Sequence, residues 1–138
     1  VASNTKVANI LRDYRDYTMI CAGVFDDMVA TLVLENKEAI LERNRQIIEE
    51  NLALMDEWIA KEPKASWIRP ASVSTSFVKL DVDRPIEVFA LELLQEYGVL
   101  VVPGNRFDKE SHVRIGYCCD KEVLQKGLEK LSQFLNKC

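Results

Sequence analysis

The sequence has few of the residues that hold metals and lacks several motifs that mark common catalytic loops. It contains one histidine and four cysteines among 138 residues, and no two cysteines have the C-x-x-C spacing. One histidine supplies no second nitrogen ligand, so the sequence predicts no metal site of the zinc type. A Gly-rich phosphate loop and the G-x-S-x-G motif are also missing. None of these signatures therefore identifies an activity.

Long apolar runs and basic clusters are missing as well. No apolar run approaches the ~20 residues that span a bilayer, and no basic stretch precedes an apolar one as in a signal peptide. The net charge is −4 and the basic residues are scattered, which argues against a nucleic-acid surface. We expect no membrane and no nucleic-acid partner, and free cysteines in a cytoplasmic protein.

The remaining pattern is typical of an α+β protein, with 48% hydrophobic and 29% charged residues. Apolar positions at three- and four-residue steps predict helices, and alternation predicts strands. Because the two kinds interleave, we expect a small mixed or antiparallel sheet covered on one face by helices, after a long N-terminal helical segment. The predicted helices cover residues 5–15, 26–34, 35–61, 83–97 and 120–135, and the predicted strands lie near 66–69, 74–82, 99–102 and 112–118.

Capping residues predict where the helices begin and end. Ser3 or Asn4 precedes the first helix, and Asp26 with Asp27 precedes the second. Asp83 precedes the fourth helix, with a proline tolerated in its first turn. Gly98 is available as the left-handed end of that helix. The apolar stretch 17–25 has no helical stripe and is predicted to be either a buried connection or a contact surface.

Arg114 stands where a strand would otherwise be apolar. In the strand 112–118, Val113, Ile115 and Tyr117 alternate with Arg114 and Gly116, so the arginine lies on the opposite face from the apolar set. A guanidinium beside a glycine suits bidentate recognition of a carboxylate. The pattern alone leaves a second interpretation open, in which the arginine pairs with an acidic side chain on a solvated face.

The loop before this strand is a second candidate. Pro103 and Gly104 suit a type II turn in which glycine supplies the positive φ, and Asn105 follows them at the sheet edge. Loops held by a rigid scaffold often bind ligands, so residues 103–105 form a possible active-site loop. Phe77 alternates with Val78 in the strand 74–82 and is expected on the uncovered face of the sheet.

The order of these features resembles the C-terminal small domain of class I/II aminotransferases, the pyridoxal-phosphate enzymes of the aspartate aminotransferase fold type. The resemblance lies in "IEVFALELLQEYGVLVVPGNRF" followed by "HVRIGYC", in the long helix 35–61 and in the closing amphipathic helix. It implies that residues 1–34 are an N-terminal segment from the large domain or its interface. Residues 35–138 would be the small domain.

The resemblance implies a role for Arg114 and an incomplete active site. Arg114 matches the arginine that binds the α-carboxylate of the amino-acid substrate. The second substrate implied by the resemblance is a 2-oxo acid. The family's Schiff-base lysine belongs to a motif upstream of Val1, so no catalytic residue is expected here. The resemblance thus implies a homodimeric parent enzyme that holds pyridoxal phosphate. This chain alone is expected to bind no pyridoxal phosphate and to have no activity. The large domain of the same polypeptide would be its partner.

Two other functions remain open at this point. The chain could be a non-catalytic module that binds a small carboxylate or mediates assembly. It could also belong to a pyridoxal-phosphate lyase or synthase, because one fold supports several reactions.

Overall fold

The computed structural model describes residues 4–19, 21–71 and 73–137. None of the helices within these ranges is both long and apolar enough to cross a membrane. The elements, in chain order, are α1 (Thr5–Thr18), α2 (Val24–Glu35), α3 (Lys37–Lys61), β1 (Ala65–Trp67), β2 (Thr75–Leu80), α4 (Ile86–Tyr97), β3 (Val102–Pro103), the 3-10 helix Gly104–Phe107, β4 (His112–Gly116) and α5 (Lys121–Leu135).

The chain divides into two compact units between Ile40 and Leu41. This division falls inside α3, whereas the sequence placed a domain boundary after residue 34. The glutamate that ends α2 is followed by a single turn residue, Asn36, before α3 begins. The assignment of the two parts to the large and small domains of a parent enzyme stays a prediction.

The first unit contains α1 and α2, and none of the described side chains of either helix is buried. The Asn4 side chain accepts hydrogen bonds from the backbone N–H groups of Lys6 and Val7, which confirms it as the cap of α1. Ser3 lies outside the described residues. The predicted cap of α2 at Asp26 and Asp27 is wrong, because the helix begins at Val24 and both carboxylates lie in its first turn. There they complement the helix dipole.

The stretch 17–25 is not a buried connection. Tyr17 is 91% exposed and Phe25 is 84% exposed, because the stretch comprises the end of α1, a short link and the start of α2. Ile20 lies outside the described residues. The alternative prediction, a contact surface, stays a prediction.

The second unit is built on a four-stranded antiparallel sheet in the order β1-β2-β4-β3. The α+β prediction is confirmed, and of the two sheet types the antiparallel one is present. Each predicted strand exists with shifted bounds. The largest shift is at β3, which comprises Val102–Pro103 rather than 99–102. Val101 is buried without belonging to a strand. The apolar residues there indicated burial, and not hydrogen bonding to a neighbouring strand.

One face of the sheet is covered and forms the core. Val78 and Leu80 of β2 and Val113 of β4 have no exposed area, and their buried cluster includes residues of α3, α4 and α5. The predicted apolar stripe of α5 is confirmed, because Leu124, Leu128, Leu131 and Leu135 are all buried. In α3 only the second half contributes buried residues, from Asn51 onward.

The ends of α4 differ in how well the sequence predicted them. Gly98 ends the helix with φ of 67°, the left-handed conformation that was expected. The predicted start at Asp83 is wrong, because Pro85 is the capping residue and Ile86 begins the helix. Proline fixes the φ that a helix entry needs, so the chain turns into the helix at that residue.

A buried amide connects α3 to the end of β4. Asn51 is 1% exposed, and its Nδ2 donates to the carbonyl oxygens of Tyr117 and Cys119, at 2.7 Å each. A second polar connection joins α3 to α5, where Trp58 Nε1 donates to Ser132 Oγ at 2.8 Å. Ser132 in turn donates to the buried Glu62 carboxylate at 2.7 Å. Buried polar groups are tolerated when they are bonded in this way.

Tyr117 is an exception to that rule. Its side chain has no exposed area, and its hydroxyl is buried with no hydrogen-bond partner in the structure. Burial raises the pKa of the phenol above its ordinary value, and the charge of Arg69 opposes this effect only in part. The folded protein therefore favours the neutral phenol.

We expect Tyr117→Phe to leave stability unchanged or to raise the free energy of unfolding by up to ~1 kcal/mol, since it removes an unpaired buried hydroxyl. Because the folded pKa is raised, the phenol of the unfolded chain ionises first as the pH rises past about 10, and stability falls there. Tyr117→Phe should reduce that fall. Urea unfolding at about pH 8 and about pH 10.5 measures both effects. Tyr14→Phe controls for the loss of an exposed phenol. A marked loss of stability in Tyr117→Phe would mean that the hydroxyl has a partner.

Candidate functional site

Arg114 lies on an interior strand of the sheet, on the face without helices. In the ladder it is opposite Phe77 of β2 on one side and Val102 of β3 on the other. Val113 and Ile115 are buried while Arg114 is exposed, so the predicted alternation of β4 is confirmed. No carboxylate of the described residues forms an ion pair with Arg114. The interpretation that paired it with an acidic side chain is therefore wrong.

An aromatic group packs against the guanidinium. The Cζ atom of Arg114 lies over the Phe107 ring, 5.2 Å from its centroid. Phe107 meets Phe77 edge-on with ring centroids 5.7 Å apart, and Phe77 stacks on His112 at 5.2 Å with an angle of 17° between the rings. A guanidinium that stacks by its face keeps its in-plane N–H donors for other partners.

The three side chains Phe77, Phe107 and Arg114 line an open concavity of about 250 Å³. Its walls are aromatic and its one charge is the guanidinium. Phe77 is half-buried on this face, as its alternation with Val78 predicted. The arrangement can bind a small carboxylate by a charge-assisted hydrogen-bond pair, with apolar surface beside it.

The 103–111 loop is hydrogen-bonded to helix α4. Asn105 Nδ2 donates to the Glu87 carboxylate of α4 at 2.9 Å, and Arg106 donates to the same carboxylate. The predicted loop residues Pro103, Gly104 and Asn105 are thus tied to α4 and to the strands. Among the described loop residues, Phe107 makes the aromatic contact with Arg114.

The predicted type II turn at Pro103 and Gly104 is wrong. Gly104 begins a 3-10 helix, and the positive φ values of this loop belong to Asp108 (55°) and Ser111 (61°). Glycine is needed at 104 because there is no room for a side chain, and not because of its φ angle. A Cβ there would lie 2.3 Å from the carbonyl oxygen of Lys109 and 2.6 Å from that of His112. The loop therefore closes onto the start of β4 through backbone that a side chain would push apart.

Sequence reasoning did not find Glu87. Its two partners lie 18 and 19 residues along the chain, and no local pattern reports a contact at that separation. A glutamate in the first turn of a helix is already explained by the helix dipole, so nothing in the sequence marked it as a loop anchor.

Comparisons with known proteins find a matching family model and similar solved structures. The family model described as aminotransferase class I and II matches residues 1–131. The crystal structure of a PLP-dependent aminotransferase from Streptococcus suis 89-1591 is 65% identical, covers 99% of this chain and 36% of its own, and has a TM-score of 0.90. Aspartate aminotransferase from Thermotoga maritima is 26% identical over 95% of this chain and 33% of its own, with a TM-score of 0.79.

A further relative carries a different activity in its name. Capreomycidine synthase from Streptomyces vinaceus is 28% identical over 122 residues, which is 88% of this chain and 31% of that protein. The chain thus spans about a third of the length of these three relatives.

We expect Gly104→Ala to lower the free energy of unfolding by ~2 kcal/mol, because its Cβ would meet two backbone carbonyls that cannot yield without moving the loop. Gly116→Ala is the matched control, since a Cβ at 116 meets nothing within 4 Å. The control should change stability by less than about 0.5 kcal/mol. Urea unfolding of both variants measures the difference, and equal stabilities would contradict the steric role of Gly104.

Proposed function

The chain belongs to the class I and II aminotransferases, and from that premise we propose that it is the substrate-binding C-terminal part of a pyridoxal-phosphate-dependent enzyme. That enzyme transfers an amino group between an amino acid and a 2-oxo acid. In this proposal Arg114 binds the carboxylate of the amino acid. The chain on its own carries no catalytic residue and is inactive.

The observation that carries this proposal is the exposed guanidinium of Arg114. It projects from an interior strand, it forms no ion pair with a described carboxylate, and one face of it packs on Phe107. Because no described carboxylate pairs with it, its N–H donors are available to a carboxylate ligand, and the Phe107 ring lies beside it.

The described residues do not fit the cofactor by themselves. Pyridoxal phosphate needs a lysine for its aldehyde and enclosing donors for its phosphate. The concavity at Arg114 is open, and none of its three lining side chains is a lysine. Lys79 is the one lysine of the described strands on the face of Arg114; it lies opposite His112 and does not line the concavity. We therefore propose that the rest of the parent enzyme holds the cofactor.

The proposal extends to partners and location. The large domain of the same polypeptide and a second copy of the parent would complete the active site in a homodimer. The apolar side chains Leu11 of α1 and Phe25 and Leu32 of α2 are more than half exposed and would supply contact surface. Free cysteines such as Cys21 and Cys118 support a cytoplasmic location.

A second candidate function rests on the resemblance to capreomycidine synthase. A synthase or lyase of this fold would use Arg114 in the same way, because carboxylate binding precedes the choice of reaction. Assay of the full-length parent against a panel of amino acids separates the two. Release of a 2-oxo acid with amination of an added acceptor supports transfer, and product formed without any acceptor supports the synthase or lyase.

In the full-length parent, we expect Arg114→Ala to raise KM for amino acids and to lower kcat/KM roughly 30- to 1,000-fold. This factor corresponds to ~2–4 kcal/mol of lost transition-state stabilisation, the value of a charged hydrogen-bond pair. Steady-state kinetics measures this effect. Lys79→Ala is the control, because it removes another cation from the same face of the sheet. Unchanged kinetics in Arg114→Ala, or an equal loss in Lys79→Ala, would contradict a specific role for Arg114.

Pyridoxal phosphate added to the chain of residues 1–138 should give no saturable change in its absorbance spectrum at stoichiometric concentration, because the concavity at Arg114 is open and no lysine lines it. Bovine serum albumin at the same lysine concentration controls for slow, unspecific reaction with surface amines. A saturable one-to-one spectral change would show that the chain holds the cofactor after all.

A further inference from the structure

The two adjacent cysteines after β4 line one cleft. A strand would direct neighbouring side chains to opposite faces, but β4 ends at Gly116 and the following residues are irregular. Cys118 and Cys119 both border a cleft of about 440 Å³, whose opposite wall is the part of α3 that includes Asn44. The irregular chain after β4 thus places two adjacent cysteines along one cleft.

The two thiols differ in environment. Both are free, with Cys118 exposed and Cys119 half-buried. Burial raises the pKa of the Cys119 thiol, and the charges of Asp120 and Cys118 act in the same direction. Cys118 is therefore the thiol that an incoming reagent meets first, and Cys119 is the second, more sheltered sulfur.

The backbone that carries the pair is held in place. Cys118 lies between Tyr117 and Cys119 in the chain. Of the three carbonyls from 117 to 119, Asn51 binds the first and the last, at 2.7 Å each. A ligand that engages both sulfur atoms has little backbone to order, and preorganisation of this kind favours binding.

The side chains around the pair limit what it can bind. Within residues 4–19, 21–71 and 73–137, no group of three or more histidine, cysteine, aspartate or glutamate side chains is placed to hold a metal ion. A ligand that needs two soft sulfur donors and no third protein ligand therefore suits the pair. Trivalent organoarsenicals meet this condition, since they are soft centres that keep one carbon substituent and take two thiolates.

We propose that Cys118 and Cys119 form a dithiol site for trivalent organoarsenicals, with the cleft beside α3 receiving the organic group. The reaction is R–As=O + 2 Cys–SH → R–As(S–Cys)2 + H2O. Two As–S bonds form, the As=O oxygen leaves as water with the two thiol protons, and arsenic stays trivalent. No oxidant or reductant is needed. The site is distinct from Arg114, and its existence does not depend on the proposed aminotransferase function.

The test uses phenylarsine oxide on a Cys21→Ser/Cys138→Ser variant, in which Cys118 and Cys119 are the remaining cysteines. We expect one arsenical per chain by intact mass spectrometry and loss of both free thiols. Closure of the second As–S bond is intramolecular, so removing either thiol should weaken binding by ~100-fold or more. Cys118→Ser and Cys119→Ala in this background measure that loss, with circular dichroism to confirm folding. The bound arsenical should resist excess monothiol and be released by a dithiol.

Two results would overturn the proposal. One is undiminished affinity in either single-cysteine variant, and the other is addition of two arsenicals per chain. The role of the cleft is tested by Asn44→Trp, which should narrow the opening and slow capture at least tenfold in the native protein but not in urea. Equal rates of capture in native Asn44→Trp and in the unsubstituted protein would show that the cleft does not receive the organic group.

Discussion

The buried amide of Asn51 is the interaction on which the order of the second unit depends. It joins the long helix α3 to the chain that leaves β4, through two 2.7 Å hydrogen bonds to backbone carbonyls. A carbonyl left buried without its partner would cost about 1–3 kcal/mol. Asn51 therefore holds the chain where it leaves β4. The same contact lies at the end of β4, the strand in which Arg114 is opposite Phe77.

The two faces of the sheet are used for different purposes. Val113 and Ile115 pack into the core, and this burial supplies most of the stability of β4. Arg114, between them, takes no part in the core and is positioned by it. The loop that brings Phe107 over the guanidinium is held by Glu87 of α4. The candidate site is thus a surface feature whose geometry is set by buried residues and by one helix.

The parts of the fold that the sequence predicted are those where a local pattern has one physical meaning. The alternation in β4, the stripe of α5 and the left-handed Gly98 are of this kind. Gly104 has two possible meanings, a positive φ or close backbone approach, and local sequence does not distinguish them. Asn51 and Glu87 were missed because polar residues on helices usually face solvent, and their partners are distant in sequence. The resemblance to a family pointed to Arg114, while none of the carboxylates in the described ranges is the acidic partner that periodicity allowed.

The alternation of β4 also has a consequence for how such a domain changes over time. Substitutions at Arg114 or at its neighbours on the open face leave the core side chains untouched, since consecutive residues of the strand belong to different environments. Mutations of the open face are therefore largely uncoupled from mutations that alter stability. A sheet of this kind can acquire new specificities while the fold beneath it stays the same.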